Sequence, residues 1–122
     1  MRDYPEFENP QQRPRYTGLP TFMRTPYRED WEGLDIALVG IPFDGGVTNR
    51  TGARHGPREI RNQSSLMRMI NQATGINPYE LCSIADVGDA WVQKPFELTG
   101  ALQEIEDFFQ MVHQSGTVPV SA

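Results

Sequence analysis

Six consecutive apolar residues, Ile36-Ala-Leu-Val-Gly-Ile41, run into a loop with glycine at 45, 46, 52 and 56, and the loop ends at Pro57. An unbroken apolar run, without the alternation of a half-exposed strand, is expected for a strand buried on both faces of a parallel sheet. Proline suits the first turn of a helix. The pattern then repeats. Ile60, Ser64, Met67 and Ile70 recur at three- and four-residue spacing and predict a helix reaching about Asn71, where Asn71-Gln-Ala-Thr-Gly75 breaks it. Leu81-Cys-Ser-Ile-Ala85 predicts a second strand, running out into Asp86-Val-Gly-Asp89, with Cys82 as a small apolar filler. Leu98, Ala101, Leu102, Ile105, Phe108, Phe109 and Val112 mark one face of a longer helix, with Gly116 as its left-handed stop. Thr117-Val-Pro-Val120 predicts a third strand, its Pro119 suited to a first turn or an edge.

Strand, helix, strand, helix, strand implies an α/β fold around a parallel sheet with right-handed crossovers. Residues 1–33 differ. Prolines at 5, 10, 14, 20 and 26 alternate with charged and aromatic residues, which predicts an extended arm with no helix of its own. Tyr4, Phe7, Tyr16, Phe22, Tyr27 and Trp31 are too many aromatics for a free tail, so the arm is expected to pack on its own domain or a neighbouring subunit. Residues 34–122 then form the folded portion. The chain stops within a predicted strand, which reads as a truncated domain.

Net charge of -5 argues against nucleic-acid binding through a basic face. One cysteine excludes an internal disulfide framework and fits a reducing compartment. No apolar run approaches the roughly 20 residues of a membrane span, so a soluble cytoplasmic protein is expected, with no membrane partner.

In a parallel sheet, ligands sit beyond the carboxyl ends of strands, which is where the 42–56 loop begins. Arg50, Arg54, Arg58 and Arg61 place four of the chain's 11 basic residues in this loop and the helix after it. One reading is an anion site at a helix start. The other is that these arginines pair with Asp44, Glu59, Asp86 and Asp89 and order the loop. A phosphate- or nucleotide-binding module is the weaker alternative. The P-loop pattern needs a lysine here, and the only one is Lys94; no Gly-x-Gly-x-x-Gly occurs either. His113 belongs at a helix C-terminus, where a cation suits the dipole, while His55 lies on the candidate loop. Asp86 and Asp89 could bind a cation, but pairing to arginine is favoured. No histidine–carboxylate cluster has metal-ligand spacing.

Val39-Gly-Ile-Pro-Phe-Asp-Gly-Gly46, Arg50-Thr-Gly-Ala-Arg-His-Gly-Pro-Arg-Glu-Ile-Arg61 and Ile84-Ala-Asp-Val-Gly-Asp89 together resemble the N-terminal part of the ureohydrolase (arginase/agmatinase) family. Arg15-Tyr-Thr-Gly-Leu-Pro-Thr-Phe-Met-Arg24 is similar to the arm of its agmatinase and guanidino-acid hydrolase branch. The resemblance implies a three-layer α/β/α fold, a homo-oligomer, and hydrolysis of a small guanidino compound to an amine and urea. Agmatine is the default substrate; guanidinobutyrate, guanidinopropionate and guanidine are the alternatives. It also implies two manganese ions, or nickel, which lower the pKa of bound water to supply the nucleophile. The family's ligand motifs, Gly-Gly-Asp-His, Asp-Ala-His-x-Asp and Ser-x-Asp-x-Asp, are absent from this sequence. No metal-binding or catalytic residue carries over, and these 122 residues alone are expected to be inactive. The resemblance places the 44–56 loop near the active-site mouth, which makes Asn49, Arg50 and His55 the candidates for selecting the far end of the substrate.

Overall fold

The apolar run forms the central strand, β1 (Ile36–Gly40), of a three-stranded parallel sheet in the order β2-β1-β3. The computed structural model describes residues 14–122, so Tyr4 and Phe7 of the arm lie outside the described residues. Strand β2 (Ile84–Asp89) pairs Ile36 with Ile84 and Leu38 with Asp86. Strand β3 (Val118–Ser121) pairs Ala37 with Pro119 and Val39 with Ser121. Within the described sheet β3 is an edge, where a proline without an N–H is tolerated.

Alternation along β1 sends successive side chains to opposite faces, and both are covered. Ala37 and Val39 join Ala85, Val87 and Val112, against which Trp31, Phe108 and Phe109 pack. Leu38 joins Phe22, Tyr79 and Ile84 on the other face, with Ile36 and Cys82 partly buried beside them. The first cluster is closed by helix α3 (Leu98–Gln114), which ends as its spacing predicts, with Gly116 at φ 86°. Among the described residues no helix is long and apolar enough to cross a membrane.

Helix α1 differs from its predicted form. It spans Gly56–Ser64 and does not reach Asn71. The Ser64 and Ser65 hydroxyls both donate back to the Arg61 carbonyl, and Leu66 and Met67 bond three residues back, which tightens and ends the helix. Its buried face is also unexpected. Ile60 and Met67 are 46% and 51% exposed, whereas Pro57, Arg61 and Ser64, at i, i+4 and i+7, turn inward. The second strand also starts later than predicted. Asn77 accepts a hydrogen bond from Tyr79 N–H and caps a single helical turn, α2 (Pro78–Leu81). Leu81 and Cys82 therefore precede β2.

Beside α1, the described part of the arm forms a 3-10 turn, Phe22–Arg24. Met23 and Arg24 adopt φ of 54° and 59°, a conformation that costs a non-glycine residue about 1–3 kcal/mol. Docking offsets it. Met23 N–H donates to Ser64 Oγ at 2.8 Å, Arg24 Nη2 donates to the Met67 carbonyl at 3.1 Å, and the Phe22 ring is buried. Substituting Phe22→Ala is expected to lose about 3–5 kcal/mol of unfolding free energy, and Ile60→Ser less than about 0.5 kcal/mol. Chemical denaturation of both variants checks which face of α1 is buried, and a larger loss at Ile60 would contradict it.

Candidate functional site

The loop from β1 to α1 is held by a carboxylate at its start. Asp44 is buried, and its Oδ1 accepts hydrogen bonds from Arg54 Nε at 2.9 Å and Nη2 at 2.7 Å. Its Oδ2 accepts from the backbone N–H of Gly52 at 2.7 Å and of Arg54 at 3.2 Å. One side chain thus closes residues 44–54 into a ring. The bonds from the Arg54 side chain, then from Gly52, hold the Asp44 carboxyl well below the usual carboxylate range, against the opposing effect of desolvation.

A second ion-pair network lies deeper. Arg61 Nε donates to Asp86 Oδ2 at 2.8 Å and Nη2 to Asp86 Oδ1 at 3.1 Å, the bidentate fork that guanidinium offers. Nη1 reaches Asp89 Oδ1 at 2.9 Å, and Nη2 also reaches the Gly88 carbonyl at 3.0 Å. The guanidinium carbon sits 4.1 Å from the Phe22 ring centroid. Burial opposes the charge on Arg61, but the bonds to Asp86 and Asp89 outweigh it and raise its pKa above the ordinary arginine value. Asp86 also accepts from Phe22 N–H at 3.0 Å and Gly88 N–H at 2.8 Å.

Two glycines make this approach possible. A Cβ on Gly40 would lie 2.1 Å from Asp89 Oδ1 and 2.8 Å from Pro57 Cβ, so only glycine lets β1 pass under that carboxylate. Gly88 has φ 85°, a backbone that other residues adopt at a cost of about 1–2 kcal/mol.

The ion-pairing reading therefore holds for Arg54 and Arg61. Glu59 accepts from Gln63 and pairs with no arginine among the described residues. Asn49 and Arg50 are exposed on the clamped loop, and His55 is exposed in the 3-10 turn Ala53–His55 that leads into α1. A cavity of about 380 Å³ at this end of the sheet is lined by Arg54, His55, Arg58, Arg61 and Asp89, with Pro20, Pro42 and Pro57. His55 lines it; Asn49 and Arg50 do not. Among the described residues no group of three or more His, Cys, Asp or Glu side chains could hold a metal ion, and Asp86 and Asp89 are engaged with Arg61. The metal pair implied by the resemblance finds no ligand group among the described residues. Sequence reasoning named Phe22 only as an arm aromatic expected to pack, and missed it as the neighbour of Arg61. Its ring reaches Arg61 only through the tertiary fold, and no local pattern marks it.

The sequence model of the arginase family matches residues 34–122. The chain belongs to the arginase family. Guanidinopropionase of Pseudomonas aeruginosa is 49% identical over 119 residues, covering 98% of this chain and 37% of the relative. Mitochondrial agmatinase of Gallus gallus is 39% identical over 107 residues, 88% of this chain and 31% of the relative. Proclavaminate amidino hydrolase from Streptomyces clavuligerus superposes with a TM-score of 0.78 at 34% identity, over 83% of this chain and 33% of that one. A hypothetical agmatinase from Burkholderia thailandensis gives 0.79 at 29% identity, over 88% and 34%. This arginase-family chain spans about a third of the length of the relatives it matches.

Replacing Arg61 with leucine strands a buried carboxylate at Asp86, and a loss of about 3–5 kcal/mol is expected in denaturant titrations. A loss below about 1 kcal/mol would contradict the network's role. Asp44 has a depressed folded pKa, so its stabilisation is complete above the unfolded carboxylate value of about 4 and is lost as pH falls toward the folded value. Stability curves from pH 6 to pH 2 are expected to fall less steeply in Asp44→Asn than in the wild type. Parallel curves would show that Asp44 is not clamped.

Proposed function

We propose that these residues form the N-terminal portion of a hydrolase that cleaves a guanidino compound to an amine and urea, and that the Asp44-clamped loop receives the far end of the substrate. The observation carrying this reading is the 49% identity to a guanidinopropionase across almost the whole chain. The loop's place at the carboxyl end of β1 supports it, since that is where parallel sheets bind ligands. Fixing the loop backbone through Asp44 holds Asn49, Arg50 and His55 before substrate arrives, which lowers the entropy lost on binding.

A guanidino acid is the substrate class we favour. Arg50 and Arg58 form no ion pair with the described residues and suit a carboxylate tail, and relatives are named guanidinopropionase and guanidinobutyrase. Agmatine, with an amine tail, is the second reading, supported by relatives named agmatinase. Its tail needs an acidic partner, and Asp44 is already taken by Arg54. Manganese or nickel would supply the nucleophile, from ligands outside the residues described. Exposed Tyr16 and Leu19 on the arm suit a contact between copies in a homo-oligomer.

The full-length protein, supplied with manganese or nickel, is expected to release urea from guanidinopropionate or guanidinobutyrate faster than from agmatine. No urea from any of them would end the reading. Asn49→Ala, Arg50→Ala and His55→Ala are each expected to change the guanidino-acid to agmatine ratio of kcat/KM by about tenfold, the weight of one charge-assisted hydrogen bond. An unchanged ratio would remove that residue from the substrate's path.

A further inference from the structure

Beyond the outer edge of β2, the arm runs alongside the strand, with Tyr27 in a parallel bridge to Asp86. Between the arm, the end of β2 and helix α3 lies a cavity of about 600 Å³. Tyr27, Trp31, Trp91 and Phe108 supply four aromatic walls, and Trp91 is 77% exposed although it is the largest side chain type. Four carboxylates share the lining and no basic residue does.

Two of those carboxylates have structural work. Asp89 meets Arg61, and Glu104 Oε2 accepts the backbone N–H groups of Gln93 and Lys94. The other two are uncompensated. Among the described residues Asp107 accepts only from the neutral Gln103 amide and Glu29 makes no ion pair, its neighbour Arg28 being paired with Asp30.

We propose that this cavity binds a small organic cation carrying a guanidinium or alkylammonium group. Aromatic faces attract such a cation through their quadrupoles, and two unpaired carboxylates beside them add charge complementarity. A metal ion does not fit, because the carboxylates do not converge into a group able to ligate one. A flat, weakly hydrated cation does not need that convergence. Apart from Asp89, the cavity's lining is separate from that of the loop cavity, and binding of a cation is read without urea release, so the two readings can fail separately.

The test titrates the full-length protein with methylguanidinium chloride, following tryptophan fluorescence, with uncharged methylurea as the control. A saturable change is expected with methylguanidinium and none with methylurea. The signal should weaken in Trp91→Phe, which leaves Trp31 in the wall, and affinity should fall at least about tenfold in the Glu29→Gln, Asp107→Asn double variant. No saturable change, an equal response to methylurea, or unchanged affinity in the double variant would overturn the proposal. So would a double variant that dissociates in sedimentation while the wild type shows no saturable change, since the cavity would then be a contact between copies.

Discussion

The site end of this domain is organised around one guanidinium. Arg61 leaves α1, crosses to the end of β2, bonds Asp86, Asp89 and the Gly88 carbonyl, and rests on the ring of Phe22 from the arm. Three segments distant in sequence are thereby fixed to one planar group. Such a group cannot be replaced by a point charge. A lysine has no planar fork for Asp86 and no flat face for Phe22. Burying it is tolerable only because two carboxylates surround it, one of which, Asp86, is itself tied by two backbone N–H groups.

The surrounding sequence accommodates that group. Gly40 lacks the Cβ that would strike Asp89, and Gly88 supplies the backbone conformation that lets Asp86 fold back on its own strand. The strained φ values at Met23 and Arg24 place Phe22 over Arg61 and its N–H on Asp86. Strain in the arm and burial of charge in the core are therefore parts of the same arrangement. The shallower Asp44–Arg54 pair does for the loop what Arg61 does for the sheet end. Between these two clamps the exposed side chains Asn49, Arg50 and His55 are held on an ordered backbone.

Much of this was legible in the residues. The apolar run of β1, the stripe of α3 and the glycine after it report periodicities that follow from backbone geometry alone. The arginine–aspartate pairing was legible as one of two readings, because an acidic chain holds few basic residues to share. The helix α1 was misread because the predicted apolar stripe, Ile60, Met67 and Ile70, is exposed and mostly lies beyond the helix, while the inward face of the helix carries a proline, an arginine and a serine. Hydrophobic periodicity assumes that burial follows polarity. Here the helix docks through charge and hydroxyl groups, and the assumption fails. The start of β2 was misplaced for a local reason, since Asn77-Pro78 opens a short helix that consumes Leu81.

The sequence by itself determined the α/β order, the position of the loop at a strand's carboxyl end, and the motifs that carry the family resemblance. Each is a property of neighbours along the chain. Tertiary structure alone decided which arginine is buried, that Phe22 lies beneath it, and that four aromatic and four acidic side chains from the arm, β2, the segment after β2 and α3 share one cavity. Those pairings span tens of residues, as Phe22 with Asp86 does, and they arise from the packing of elements, which no local spacing encodes.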